Sequence, residues 1–124
     1  MSTQPLVAEA TRRTGIVWVA LPGDRPRPLW HLWHDGAAYV VIGGGEQPLP
    51  GAAAADRAEV TAPGQGASGQ VLTWTAAVTR VQPGGPLWDE VAPLLEAKRL
   101  NAPGDEPQRD RWARECVVLR LDPR

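Results

Sequence analysis

The chain has a single cysteine, a single lysine, a single asparagine and no phenylalanine. One thiol, Cys116, can form neither an internal disulfide nor a multi-cysteine zinc site. Excess basic charge is missing too. The net charge is −1, which excludes a general nucleic-acid binder, because such a protein must displace counterions from a polyanion. No apolar run approaches the length that spans a bilayer, and the opening MSTQPLVAEATRR lacks the apolar segment of a secretory signal. A cytoplasmic location, with no membrane and no nucleic-acid partner, is the expectation. Alanine, glycine, proline and arginine are abundant, a usage that points to a GC-rich bacterial genome. Six tryptophans supply the large aromatic surface that phenylalanine does not. At 124 residues, one domain over 1–124 with a real core is expected, residues 1–13 forming a short helical turn or a frayed end.

The stretch Pro28–Gly51, PLWHLWHDGAAYVVIGGGEQPLPG, organises the rest. Asp35-Gly36 lies between two β-type runs, the strongest short hairpin signal, and a type I′ turn there needs φ > 0 at both residues. A two-residue loop sets the register: His34 opposite Ala37, Leu32 opposite Tyr39, Trp30 opposite Val41. The second strand runs out into Gly43-Gly44-Gly45, which either admits a ligand to the backbone or simply turns the chain.

Thr14–Leu21 reads as a strand buried on both faces. Pro22–Pro28 is a turn, Gly51–Asp56 has the composition of a short helix, and Arg57–Ala62 alternates as a strand. Pro63–Gly69 is a hairpin tip. In Gln70–Gln82, Leu72, Trp74, Ala76 and Val78 share one face, with Thr73, Thr75 and Thr79 on the other. Leu87–Leu100 carries Leu87, Val91, Leu94, Leu95 and Lys98 at helical spacing, and Pro93 should kink or split this helix. Asn101–Asp110 is a polar loop, Arg111–Glu115 adds one helical turn, and Cys116–Leu121 is a closing strand. About six strands and one main helix, joined by short turns, make an all-β antiparallel barrel or sandwich.

His31 and His34 have the look of a metal pair, but positions three apart on a strand point to opposite faces, so no metal site is assigned. Cys116 opens an apolar strand far in sequence from either histidine and reads as a structural thiol. The glycine run matches neither a Walker A loop nor a dinucleotide fingerprint, since no Gly-Lys-Ser/Thr follows and Pro48 and Pro50 interrupt. The alternation of Arg109, Arg111 and Arg114 with Asp110 and Glu115 reads as a solvated face or an interface. Trp30 and Trp33 fall on opposite faces of their strand. One fills the interior, and the other needs cover from a helix, a ligand or a second subunit.

Taken together, GIVWV, RPRPLWHLWHDGAAYVV, RAEV, VLTWTAAVTRV, PLWDEVAPLLEAKRLN and VVLRL resemble the pyridoxamine-5′-phosphate-oxidase-like, FMN-binding split-barrel family, a likeness of pattern from Thr14 to Leu121. The resemblance implies a six-stranded antiparallel Greek-key split barrel that forms a homodimer, with a small-molecule cleft at the interface. It implies FMN or the deazaflavin F420, haem in some branches, and no cofactor in others. A flavin would lie along Trp30, His31, Leu32, Val41, Gly43 and Gln47, its phosphate toward Arg27, Gly44 and Gly45, with Arg99 reaching the cleft. One departure stands out. Where flavin-binding members carry a Ser/Thr and a basic pair, this chain has Gly45-Glu46-Gln47-Pro48, and a carboxylate there repels a dianionic phosphate. Two readings follow. One is a flavin-type oxidoreductase of unknown substrate, whose cofactor carries the hydride chemistry without a visible catalytic side chain. The other is a cofactor-free binding or interaction protein with no catalytic activity.

Overall fold

The structure, a computed structural model, describes residues 4–63, 71–99 and 107–124, with side chains from Val7 onward. The elements run α1 (Gln4–Arg13), β1 (Ile16–Ala20), β2 (Arg27–Trp30), β3 (Leu32–His34), β4 (Ala37–Ile42), β5 (Arg57–Ala62), β6 (Leu72–Arg80), α2 (Pro86–Lys98), α3 (Gln108–Glu115) and β7 (Val117–Pro123). All strand pairs are antiparallel, in the order β2-β1-β5-β6-β7-β4-β3. Only His31 separates β2 from β3, so one stretch of chain supplies both edges and the sheet curls into a nearly closed barrel. Pairing of β1 with β5 and of β4 with β7 across long connections gives the Greek-key path.

Strand alternation sorts the side chains into two clusters. Val17, Val19, Leu29, Val40, Val60, Trp74, Leu119 and Leu121 fill the barrel, where Trp33 meets Trp74 edge to face with ring centroids 6.2 Å apart. On the outer side of β4 and β7, Tyr39, Val41 and Val118 pack with Trp88, Val91 and Leu95 of α2 and Trp112 of α3. Strand β4 is therefore buried on both faces. Helix α1 sets buried Val7 and Thr11 against the interior. The Thr11 hydroxyl accepts a hydrogen bond from Trp74 Nε1 (3.1 Å), and its carbonyl accepts one from His31 Nε2 (2.9 Å).

The Asp35-Gly36 turn has φ of 47° and 80°, both positive, and the register Leu32↔Tyr39 and His34↔Ala37 is as expected. Several expectations are corrected. Seven strands replace six because the second one breaks at His31, and the Trp30–Val41 pairing is absent for a reason given below. Strand β1 is buried on one face only, since nothing described covers its outer side and Ile16 and Trp18 are 43% and 40% exposed. Helix α2 runs through Pro93 without splitting; the bond that proline removes is the one to the carbonyl of Asp89, an exposed residue. Its buried residues are Trp88, Val91, Ala92 and Leu95, which turns Leu94 and Lys98 outward. Gly51–Asp56 forms turns rather than a helix: the Arg80 guanidinium crosses from β6 and binds the carbonyls of Ala52, Ala53 and Ala55. Helix α3 is eight residues, longer than the single turn expected, and buries Trp112. The expected hairpin tip beyond Pro63 and the polar loop 101–106 lie outside the described residues.

Candidate functional site

Glycines bend the exit of β4 into a tight turn, Gly43–Gln47, with Gly43, Gly44 and Gly45 at φ of 85°, 49° and 83°. Backbone bonds from Gly43 N to Gln47 O (2.9 Å) and from Glu46 N to Gly43 O (2.7 Å) close it. The two residues after the glycines then face opposite ways.

Gln47 reaches back into the barrel seam. Its Oε1 accepts from Trp30 N (2.5 Å), while its Nε2 donates to Trp30 O (3.0 Å) and more weakly to Val41 O (3.4 Å). The side-chain amide thus takes the place that a β4 peptide would occupy opposite Trp30, and this is why the expected Trp30–Val41 pair does not form. The amide supplies one donor edge and one acceptor edge, which is what an interrupted ladder leaves unsatisfied.

Glu46 points to the helices. Its side chain is 1% exposed and lies between two guanidinium groups. Arg99, at the C-terminal end of α2, places Nε 2.9 and 3.2 Å from the two carboxylate oxygens, and Arg111 of α3 donates to Oε2. Arg111 also donates to Gly44 O (2.6 Å) and to Gln108 Oε1 (2.8 Å). The negative charge expected to repel a phosphate is therefore compensated within the chain, and Arg99 is directed at Glu46. Sequence reasoning had each of these residues but not their meeting, because Glu46, Arg99 and Arg111 are brought together from 53 and 65 positions apart.

The turn is exposed to solvent at Gly44 and Gly45, but Gly44 is backed closely by the end of α3. A Cβ on Gly44 would stand 2.5 Å from Glu115 O and 2.8 Å from Cys116 Sγ, so only glycine fits between the turn and the end of α3. The Cys116 thiol donates to Gly43 O (3.3 Å). Burial pushes its pKa up, with nearby Arg111 opposing, so the thiol is held in its unreactive form.

Of the other candidates, Trp30 and Val41 meet the turn through the Gln47 amide, and the rest lie elsewhere. His31 points inward, 1% exposed, with Nε2 on Thr11 O and Nδ1 buried without a partner. Burial lowers its pKa to about 4 against the opposing Thr11 bond, so the ring is neutral. His34 points outward and binds Glu90 of α2 at 2.6 Å. Trp30 and Leu32 lie on the outer face, partly buried against the helix cluster, and Val41 is fully buried there. The cover that a second tryptophan requires thus comes from this chain's own helices. Arg27 sits at the start of β2, 3.5 Å from Asp24, with its Nε buried and unpartnered. Among the described residues, no three His, Cys, Asp or Glu side chains group as a metal site, and no helix is long and apolar enough to cross a membrane.

No family profile matches the chain, and no curated protein is similar to it by sequence. Solved structures are similar in fold. HutZ, the heme storage protein of Vibrio cholerae, superposes with a TM-score of 0.67 at 14% identity, over 100% of this chain and 92% of that one. A putative pyridoxamine 5′-phosphate oxidase from Listeria innocua gives 0.65 at 12% identity, over 98% and 94%. A putative general stress protein 26 from Jannaschia sp. CCS1 gives 0.59 at 16% identity, over 95% and 71%. The fold is the split barrel that the sequence pattern resembles.

Proposed function

We propose that the protein is a non-catalytic split-barrel binding protein that pairs with a second copy of itself through the outer face of β1. One observation carries the first half: at the strand exit where a flavin phosphate was expected, the Glu46, Gln47 and Arg111 side chains and the Arg99 guanidinium are already engaged within the chain. Gln47 occupies the Trp30 peptide groups, Glu46 holds Arg99 and Arg111, and Gly44 lies against the end of α3 with no room for a side chain. These residues, with Glu46 in the turn, do not fit a phosphorylated flavin. The second half is supported by Ile16 and Trp18, adjacent outward residues of β1 that leave apolar surface uncovered.

A flavin oxidoreductase is the second reading, favoured by one feature: the orphaned Arg27 Nε offers a donor outside the glycine turn. A bound flavin would supply the hydride chemistry. The test is the absorption spectrum of freshly purified protein between about 350 and 480 nm, where flavins absorb, followed by titration with FMN, riboflavin, F420 and haem. The binding-protein reading expects a featureless spectrum and no saturable flavin binding. A flavin band, with FMN bound far more tightly than riboflavin and weakened in Arg27→Gln, would overturn it. Light scattering at micromolar concentration should give twice the chain mass, and a monomer persisting at high concentration would refute the pairing.

A further inference from the structure

At the end of β1 away from Ile16, a notch of about 400 Å³ opens between the turn Leu21–Asp24 and the outer face of β5. Its volume falls within the range of small-ligand sites. Three features shape it. The β1–β5 ladder ends at Ala20↔Glu59, whereas the β5–β6 ladder continues to Arg57↔Ala77. The edge of β5 at Arg57–Ala58 therefore has no strand beside it on the notch side, and alternation directs the N–H and C=O of one of these residues that way. Residues flanking the outward row are small: Ala20 and Thr75 stand on either side of Glu59, which leaves the concavity. Finally, Arg57 and Glu59 project from the same face, two positions and roughly 7 Å apart. Among the described residues, neither side chain has an ion pair or hydrogen bond. The third charge in the notch, Asp24, is already turned to Arg27 and to Arg25 N.

We propose that this notch binds a small zwitterion of the amino-acid type, its carboxylate on Arg57 and its ammonium on Glu59, with the free edge of β5 supplying hydrogen bonds between them. The local charge balance selects for this class. An anion drawn to Arg57 also meets Glu59, and a cation drawn to Glu59 also meets Arg57, so each gains little. A neutral molecule with separated charges satisfies both at once. The site is open to solvent, which sets its affinity in the millimolar range. It uses neither the glycine turn nor Ile16 and Trp18, although Ala20, on the same outer face of β1, lines it.

The experiment is a titration of the isotope-labelled full chain with L-alanine, followed by backbone amide resonances, with acetate and ethylammonium as single-charge controls. Saturating shifts should appear at Asp24 and Arg57–Glu59 with L-alanine and not with either control. Arg57→Gln and Glu59→Gln should each weaken binding by about tenfold or more. The exchanged variant Arg57→Glu/Glu59→Arg should recover it, because the dipole of the notch is reversed and the ligand can turn around. Both positions are exposed, so the same spectra verify the fold. Equal shifts with all three probes, no saturation at tens of millimolar, or an exchanged variant no better than the single ones would overturn the proposal.

Discussion

The two sides of this barrel are built differently. The outer face of β4 and β7 carries Tyr39, Val41 and Val118 under Trp88, Leu95 and Trp112 of the two C-terminal helices, and the helices are tied down at Glu46 and Glu96. The outer face of β1, β5 and β6 carries Ile16, Trp18, Arg57, Glu59, Thr73 and Thr75, with no described element over it. One side binds the chain to itself; the other leaves apolar and charged groups for something else. Polar residues differ in meaning accordingly. A carboxylate on the covered side is a structural counter-ion, while one on the bare side is free to meet a ligand.

The sharpest test of this contrast compares two glutamates. Glu46→Ala removes the counter-ion shared by two poorly exposed arginines and should cost about 3–5 kcal/mol of stability, whereas Glu59→Ala should stay within about 0.5 kcal/mol. Urea denaturation measures both, and equal losses would erase the distinction. The second test is acid. Burial holds His31 near a pKa of about 4, while the unfolded chain titrates it near 6.5, so the unfolded state binds more protons between these values. Stability present above about 6.5 should fall as pH drops toward 4, by up to about 3 kcal/mol, and His31→Gln should remove that part of the slope. Third, Gln47→Ala leaves the Trp30 N–H and C=O unpaired at the seam, at a cost of about 1–3 kcal/mol, with faster hydrogen exchange at Trp30. The smallest effect on folding is expected from Trp18→Ser, within about 1 kcal/mol, but it should lower the solution mass if a second copy covers that face.

Much of the fold was legible. The Asp35-Gly36 turn fixed the hairpin register because a two-residue loop allows no slip, and the alternation in Leu72–Val78 named the interior face correctly. The candidate site was legible only as a list of residues. Nothing local distinguishes Gln47 as a loop amide from Gln47 as a substitute for a strand, or indicates that Glu46 meets two arginines more than 50 positions away. Burial was harder to read: the apolar run Thr14–Leu21 looked buried on both faces, yet β1 is covered on one side only, and of the three covers open to the outward tryptophan, helix, ligand or second subunit, it is the helices that pack on Trp30.

Periodicity, turn chemistry and composition are properties of neighbouring residues, so the sequence by itself determined an antiparallel barrel or sandwich of short strands, the central hairpin and a helix before the last strand. Which faces are covered, which charges are neutralised and where the ladder breaks depend on groups far apart in the chain. Those were decided only in the tertiary structure, because desolvation and hydrogen-bond satisfaction act through space and take no account of distance along the backbone.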